Sequence, residues 1–381
     1  MTSYYRDVIF MNGNFYVKKE DIKEVSLHNR LNKPYSPLDI GLIPPDLLSN
    51  IQEYPHGIIF TEGFHSNMAH LLWDCMYPTW YGLFYNNEDT WNDTFQWMAT
   101  DDFYSKYSPG WHLDILETFS GNKITTRIKL SEIYKNPIKI PFLIVGCSNI
   151  GINCTDRTFC VMRSYKEHKT DPVETFVKRV YNRYNIPRNL HLQNSTINIV
   201  YATNKRPYKN IDEVFKTLSE KYEDKCTFKI VDWANHTFKE QLEMLNTISI
   251  LVCGVGTVRG NTPFLPNGSI EIQTNDHSST LPNNIDYFDY HIGTLSRFVR
   301  VLNIPEYTRS EVDGSLCSKH LPQYVDHAIS IFPTSTPVHF TENLPRDVVD
   351  LIPRVTDEMF NEWRQTMLLS IEPLFRKVYS K

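Results

Sequence analysis

The stretch Ile248 to Gln273, which reads ISILVCGVGTVRGNTPFLPNGSIEIQ, contains the pattern that decides the fold. It begins with a mostly apolar run that predicts a buried strand, Ile248 to Cys253, and this strand stops at Gly254 and Gly256. A second short strand, Ser269 to Gln273, follows. Between the two, backbone N–H groups and a helix start can converge on an anion, as they do where an open α/β sheet holds a nucleotide phosphate. An ordinary strand-turn-helix connection fits the same residues.

Residues 197 to 273 alternate between strands and helices. The predicted elements are strand Ile197–Thr203, helix Ile211–Tyr222, strand Thr227–Val231, helix Phe238–Leu245, strand Ile248–Cys253, a short helix and strand Ile270–Gln273. Strands separated by helices of this length indicate parallel βαβ units, so we expect a Rossmann-like sheet whose carboxyl ends form a binding edge. Three loops meet at that edge in this prediction, namely Asn204–Pro207, Asp232–His236 and Gly254–Arg259.

The first and third of these loops contain groups suited to a diphosphate. Lys205 and Arg206 supply positive charge from the first loop. In the third loop, Gly256 allows the backbone to approach a ligand, while Thr257 and Arg259 add a hydroxyl and a guanidinium. We therefore predict that the diphosphate of a nucleotide binds here.

The second loop and the last strand have groups suited to a base and a ribose, each with a structural alternative. Trp233 is either a stacking platform for a base or an anchor in the core. Glu271 either binds ribose hydroxyls or faces solvent, because it alternates with Ile270 and Ile272 along the strand.

The first half of the chain contains a second polar pattern. Asn67, His70 and Asp74 have the i, i+3, i+7 spacing that places three side chains on one face of a helix, here predicted over Ser66 to Tyr85. One interpretation is a structural network in which Asn67 or His65 caps the helix. The other is an acid/base site beside a cleft.

Composition excludes several classes of protein. At 381 residues the chain is long enough for two domains, and a formal net charge of −5 gives no broad basic surface for nucleic acid. No signal peptide and no membrane-spanning segment is visible. Seven scattered cysteines without paired spacing indicate reduced thiols. We expect a cytoplasmic protein with a small-molecule partner, no nucleic acid and no membrane span; the sequence leaves its oligomeric state undecided.

Taken together, the two polar blocks resemble glycosyltransferase family 61. One block is the Asn-x-x-His-x-x-x-Asp helix at Asn67, His70 and Asp74, and the other is the glycine-rich turn followed by Asn-x-x-Phe-Leu-Pro-x-Gly-Ser from Asn261 to Ser269. The positions that match the family's basic, Asn and Glu residues are Lys205, Arg206, Asn210 and Glu213. The resemblance covers roughly residues 63 to 273 and places Asn261 in the donor site.

This resemblance implies the GT-B fold, an α/β architecture in which two Rossmann-like domains face each other across a cleft. The expected domains are an acceptor-binding α/β domain over residues 1–188 and a nucleotide-sugar-binding domain over 189–335. A helical segment over 336–381 is expected to pack back on the first domain. Likeness to virus-encoded members implies action in a host cytoplasm.

The resemblance also implies the chemistry. An acceptor hydroxyl displaces the nucleoside diphosphate with inversion at the anomeric carbon, and a base removes the hydroxyl proton. Asp74 is the expected base and His70 the alternative; the sequence does not separate them. Because the basic donor loops stabilise the leaving group, no metal and no cofactor is expected. Asp101 and Asp102 lack the Asp-x-Asp spacing of metal-using transferases and predict a solvated turn.

The expected substrates are a UDP-sugar, with xylose or N-acetylglucosamine favoured, and a hydroxyl of an oligosaccharide or glycoprotein glycan. One position departs from the family: its turn commonly reads His-Gly-Ala-Gly, and the place of the His is taken by Val255. Arg259 or Thr257 is the expected substitute. Because the turn has diverged, a noncatalytic carbohydrate- or nucleotide-binding protein is the alternative. A dehydrogenase is disfavoured, since Ala202 to Lys205 contains no glycine.

Overall fold

The fold is described from a computed structural model. Its described residues divide into two compact units, the first up to Tyr184 and the second from Asn185 onwards. The described residues are 2–18, 22–25, 40–44, 50–61, 67–77, 79, 80, 83, 94–107, 110–145, 172–189, 192, 196–203, 208–254, 256–274, 299–304 and 320–332. The predicted C-terminal helical segment, residues 336–381, lies outside them.

Within the described residues, the first unit forms a mixed sheet of nine strands. They are β1 Thr2–Met11, β2 Asn14–Val17, β3 Ile22–Val25, β4 Ile40–Leu42, β5 Gln52–Glu53, β6 Gly57–Thr61, β7 Phe95–Ala99, β8 Thr125–Thr126 and β9 Ile138–Val145. The order is β4-β2-β1-β9-β6-β7-β8, with β3 beside β1 and β5 beside β9. Strands β9, β6, β7 and β8 run parallel, and β1 is antiparallel to β9.

The parallel part of this sheet contains a reversal of strand order. The chain passes from β6 to β7 and then to β8 in one direction, and β9 then returns to the other side of β6. Ligands of open α/β sheets bind beyond the carboxyl ends of the strands at such a reversal. The segment from Asn67 to Asp74 follows the carboxyl end of β6, so the topology brings the polar block of the first half to this point.

The helices of the first unit cover the parallel strands. They are α1 Met68–His70, which continues into a π-helical segment over Leu71–Met76, then α2 Asp101–Tyr107, α3 Trp111–Ser120, α4 Arg127–Ile133 and α5 Pro172–Arg183. The turn predicted at Asp101 and Asp102 is wrong, because both residues lie in the first turn of α2. Carboxylates suit that place, since the amino end of a helix has a partial positive charge.

An aromatic cluster joins the π-helical segment to α5. The Phe176 ring lies 5.5 Å from Trp73, 5.3 Å from Tyr77, 5.5 Å from Trp80 and 4.9 Å from Phe119, measured between ring centroids. All five side chains are buried. Rings at these separations add orientation-dependent attraction to the burial of apolar area. The cluster therefore fixes the backbone that carries Asp74 against the rest of the unit.

The second unit confirms the predicted alternation of strands and helices. Its elements are β10 Ile197–Thr203, α6 Ile211–Lys221, β11 Cys226–Asp232, a 3₁₀ helix at Trp233–Asn235, α7 Phe238–Leu245, β12 Ile250–Gly254, a 3₁₀ helix at Thr257–Phe264, β13 Ile270–Thr274, β14 Arg300–Ile304 and α8 His320–Ile331. The bounds predicted for β10 and α7 are confirmed, and those of the other predicted elements differ by one or two residues. None of the helices in the described part of the chain is long and apolar enough to cross a membrane.

The sheet of the second unit is parallel throughout its described strands. Its order is β11-β10-β12-β13-β14, so the order reverses between β10 and β12. This is the 2-1-3-4-5 order of doubly wound folds, in which the ligand crevice opens beside the first and third strands. The predicted Rossmann-like parallel sheet is confirmed.

Strand β6 depends on a glycine at its first residue. A Cβ atom on Gly57 would lie 2.0 Å from Cζ of Phe142, whose ring covers the glycine. We expect Gly57→Ala to lower the free energy of unfolding by about 1–3 kcal/mol, because the ring must move out of a packed site. Urea unfolding measures the loss. If the clash is the cause, adding Phe142→Leu costs much less than its effect in the wild-type background; strictly additive losses would contradict it.

Candidate functional site

The carboxyl edge of the second sheet is the candidate site, because it brings together the three predicted loops. Thr203 at the end of β10 pairs with Asp232 at the end of β11, and Ala202 pairs with Cys253 near the end of β12. The chain leaves this edge towards Lys205 and Arg206 after β10. Both basic residues lie outside the described part of the chain, so their contact with a diphosphate stays a prediction.

The turn after β12 requires a glycine at position 256. Gly256 has φ 123° and ψ −152°, a conformation that side chains with a Cβ rarely adopt. Its carbonyl oxygen accepts a hydrogen bond from the Arg259 backbone N–H at 3.1 Å, which starts the 3₁₀ helix. Thr257 is the first residue of that helix and is only half-buried. Gly256 and Thr257 therefore present accessible backbone and a hydroxyl at the edge where strand order reverses.

Three other predicted donor-site residues lie inside the unit. The exposed fraction is 0% for Arg259, 2% for Asn261 and 3% for Trp233. Direct contact with a ligand needs accessible surface, which these side chains lack in this conformation. For Trp233 the burial favours the core-anchor interpretation over the stacking platform. Arg259 and Asn261 belong to the buried 3₁₀ helix that follows the turn.

The loop after β11 is held by side chains at its own ends. Asp232 Oδ2 accepts a hydrogen bond from Asn235 Nδ2 at 2.9 Å, and its Oδ1 accepts one from the Ala234 N–H at 3.3 Å. Gln241 on α7 donates from Nε2 to the carbonyl oxygens of Trp233 and His236, both at 3.0 Å. These bonds fix the backbone of the loop beside the ends of β10 and β11.

Glu271 is a residue whose role sequence reasoning missed. The side chain is fully buried, so the prediction that it faces solvent is wrong, and the carboxyl has no accessible surface in this structure for the ribose hydroxyls of the other prediction. Its Oε1 accepts hydrogen bonds from the Cys253 thiol at 3.2 Å and from Gln273 Nε2 at 3.0 Å, and its Oε2 accepts one from the Thr262 hydroxyl at 2.5 Å. The pattern Ile-Glu-Ile does not predict the burial of Glu271, because it also fits a strand with one face in water.

Burial and partners act on Glu271 in opposite directions. Loss of water raises the pKa of the carboxyl above its ordinary value, and this effect dominates. The positive charge of Arg259 and the donated hydrogen bonds oppose the rise in pKa. A carboxylate in a core is tolerated only with such compensation. Glu271 and Arg259 therefore form one buried polar cluster with Thr262, Cys253 and Gln273, which we call the Glu271 cluster.

The helix of the first unit begins with the predicted cap. Asn67 Oδ1 accepts a hydrogen bond from the Ala69 N–H at 2.9 Å, and its carbonyl oxygen accepts one from the Leu71 N–H at 3.0 Å. The capping interpretation of Asn67 is confirmed. His70 ends α1 and Asp74 lies in the π-helical segment, whose wider turn differs from the α-helical period on which a common face was predicted. The predicted α-helical spacing is therefore wrong for this segment.

A π-helical segment is a sign of function that periodicity cannot reveal. Such segments are rare and occur often at functional sites. Here the described side chains from Leu71 to Tyr77 are buried, so the segment is held firmly in the unit. The structure describes the backbone of His70 and Asp74 and not their side chains, and their catalytic roles stay predictions.

In the part of the chain that the structure describes, no three or more His, Cys, Asp or Glu side chains gather in a way that could hold a metal ion.

The fold and the edge geometry define an α/β protein with a doubly wound parallel sheet and a glycine turn at the point where the sheet reverses its strand order. A family model described as Glycosyltransferase 61 matches residues 68–272. The match covers more than half of the chain, and the protein therefore belongs to glycosyltransferase family 61. It runs from the first residue of α1 into β13 and includes His70, Asp74 and the block from Asn261 to Ser269, while Asn67 lies one residue before it. No curated protein matches the chain significantly.

The Asn67 cap can be tested by stability. We expect Asn67→Ala to lower the free energy of unfolding by about 1 kcal/mol, because the Ala69 N–H loses its acceptor at the start of the helix. Asn67→Asp is the matched control, since Asp caps helices as well as Asn does and should leave stability close to wild type. Chemical unfolding measures both. An equal loss in the two variants would show that the amide acts through another contact.

Proposed function

We propose that this family member is an inverting, metal-independent glycosyltransferase that moves a sugar from a UDP-sugar to a hydroxyl of a glycan acceptor. Family membership supports glycosyltransferase activity. The observation that carries the donor assignment is the position of Gly256 and Thr257 at the reversal of strand order, beside the carboxyl end of β10, after which Lys205 and Arg206 follow in the sequence. Xylose and N-acetylglucosamine are the favoured sugars.

In this proposal the diphosphate meets the accessible groups of the edge. Backbone N–H groups after Gly256 and the Thr257 hydroxyl donate hydrogen bonds, and Lys205 and Arg206 neutralise the charge that develops on the leaving group. Arg259, Asn261 and Trp233 act from inside the unit, because burial keeps their side chains from the surface. The loop from Asp232 to His236 lines the side where the base and ribose bind.

The acceptor side of the proposal rests on the first unit. The acceptor oxygen attacks the anomeric carbon while the bond from that carbon to the diphosphate oxygen breaks, and the hydroxyl proton passes to a base. We assign the base to Asp74, with His70 as the alternative. In this proposal the chain has the GT-B fold, with the donor bound by the second unit and the acceptor by the first.

Partners and location follow from the same proposal. The acceptor is an oligosaccharide or a glycoprotein glycan, the site of action is the cytoplasm, including the cytoplasm of a host if the gene is viral, and no cofactor is needed beyond the donor substrate. Positive side chains on the donor loops do the work that a divalent cation does in metal-using transferases.

The base assignment predicts a separation of binding from transfer. We expect Asp74→Asn to lower sugar transfer by about 10²- to 10⁴-fold, the usual contribution of a positioned base, with the affinity for UDP unchanged. Transfer is measured with a panel of UDP-sugars, and UDP affinity by calorimetry. His70→Gln is the comparison variant. Full transfer by Asp74→Asn together with loss of transfer in His70→Gln would move the assignment to His70.

The same measurements on the wild-type protein separate the enzyme from a noncatalytic binder. UDP binding without transfer or hydrolysis of any nucleotide sugar would favour a carbohydrate- or nucleotide-binding protein on a transferase fold. Absence of UDP binding would remove the donor assignment itself.

Metal independence gives a second prediction. We expect transfer to continue at its full rate in excess EDTA, because Lys205, Arg206 and the turn stabilise the leaving diphosphate without a cation. The rate is compared before and after chelation in the same preparation. Loss of transfer that Mn²⁺ or Mg²⁺ restores would contradict the prediction.

A further inference from the structure

The Glu271 cluster connects three elements that meet in the core next to the turn after β12, which contains Gly256. Glu271 and Gln273 lie on β13, Cys253 lies near the carboxyl end of β12, and Thr262 and Arg259 lie on the 3₁₀ helix. Cys253 is the register partner of Gln273, so the two lie side by side across the strand pair. The Glu271 carboxylate bonds to a side chain from each element, which makes it the common point of the cluster.

A charged group at this place is costly. Strand β13 is buried along its whole length, and an apolar residue between Ile270 and Ile272 would avoid the desolvation of a carboxylate. Buried ionic groups add little net stability compared with apolar packing, and their best-supported use is to select one arrangement over others. The arrangement that the Glu271 cluster selects is the packing position of the 3₁₀ helix on β12 and β13.

The 3₁₀ helix needs such an anchor. Its eight residues contain Pro263, and the i to i+3 hydrogen bonds of this helix type are weaker than those of an α-helix. The Thr262 hydroxyl oxygen lies 2.5 Å from Glu271 Oε2 and 2.7 Å from the Arg259 carbonyl oxygen, and its single proton is donated to one of these two acceptors. Glu271 thus contacts the helix through Thr262, and the positive charge of Arg259 on the same helix favours the carboxylate electrostatically.

The anchor is linked to the turn by the backbone. The Arg259 N–H donates to the Gly256 carbonyl oxygen. Arg259, which belongs to the same 3₁₀ helix as Thr262, therefore also closes the turn at the edge of the sheet. A shift of the helix on β13 would be passed to Gly256 and Thr257. Glu271 itself has no accessible surface.

We propose that Glu271 is a positioning residue, which holds the 3₁₀ helix through Thr262 and Arg259 and thereby sets the geometry of Gly256 and Thr257 for a nucleoside diphosphate. The assignment of the ligand rests on the proposed function, whereas the control of the turn by Glu271 does not.

The test uses two variants that break the link without touching the proposed ligand contacts. Glu271→Gln keeps the shape of the side chain and removes the charge that faces Arg259. Thr262→Val keeps the volume and removes the bridging hydroxyl. We expect both to weaken UDP binding, measured by calorimetry, by a factor on the order of ten to one hundred, the scale for a binding group displaced by about 1 Å.

Two matched controls separate positioning from general stability. Thr262→Ser keeps the hydroxyl and should retain wild-type affinity for UDP. Ser269→Ala removes a buried hydrogen bond of 2.9 Å to the Ile248 carbonyl oxygen just before the amino end of β13, so it lowers stability at the edge of the sheet opposite the turn. UDP affinity is expected to stay unchanged in Ser269→Ala. All variants are compared at a temperature where circular dichroism shows them folded.

The outcomes are distinct. Wild-type affinity in both Glu271→Gln and Thr262→Val would overturn the proposal, and so would an equal loss of affinity in Ser269→Ala. If Glu271→Gln does not fold, Thr262→Val against Thr262→Ser decides. If the wild-type protein binds no UDP, the proposed function fails, and hydrogen exchange at the amides of residues 257–259 decides this inference: faster exchange in Thr262→Val than in Ser269→Ala supports it, and equal exchange overturns it.

Discussion

The parallel pairing of β10 with β12 is the constraint on which the second unit depends. Because Tyr201 pairs with Val252 and Ala202 with Cys253, the two strands end at the same level of the sheet. The next strand added after α6 and β11 must lie on the opposite side of β10, and this reversal leaves the carboxyl ends of β10 and β12 without crossing connections. A basic loop and a glycine turn follow those ends, and the chemistry of the unit is thereby concentrated at one edge.

The carboxyl edge of the second sheet is supported by buried polar groups whose desolvation costs free energy that apolar residues would not cost. Arg259, Thr262 and Glu271 are all fully buried, and their charges and hydrogen bonds compensate one another. In the first unit, apolar groups support the candidate site residues instead, since the rings around Phe176 hold the π-helical segment that carries Asp74. In both units the backbone that carries candidate site residues is fixed by side chains that do not reach the site.

The sequence predicts the features of this architecture that leave a periodic pattern of apolar residues, and it misses single local features that leave no such pattern. The alternation from Ile197 onwards was predictable because buried parallel strands and amphipathic helices each leave a periodic pattern. The burial of Glu271 was not, since Ile-Glu-Ile is the same pattern in a strand with one wet face and in a strand covered on both. The π-helical segment from Leu71 to Met76 inserts a wider turn with no distinctive residue, so a period of 3.6 was assumed. The role of Asn67 as a cap was predictable because it depends on local hydrogen bonding alone.

The departure at Val255 has a different meaning once the Glu271 cluster is known. In the family the turn commonly has a histidine at this place, and an aliphatic side chain cannot donate a hydrogen bond to a phosphate. Arg259 and Thr262 hold the turn through contacts that do not involve residue 255. A turn whose geometry is fixed from within the core can accept a different side chain at residue 255 and still present Gly256 and Thr257 in the same arrangement. Divergence at Val255 is therefore compatible with a retained donor site, and it alters the contacts available to the diphosphate more than the fold that supports them.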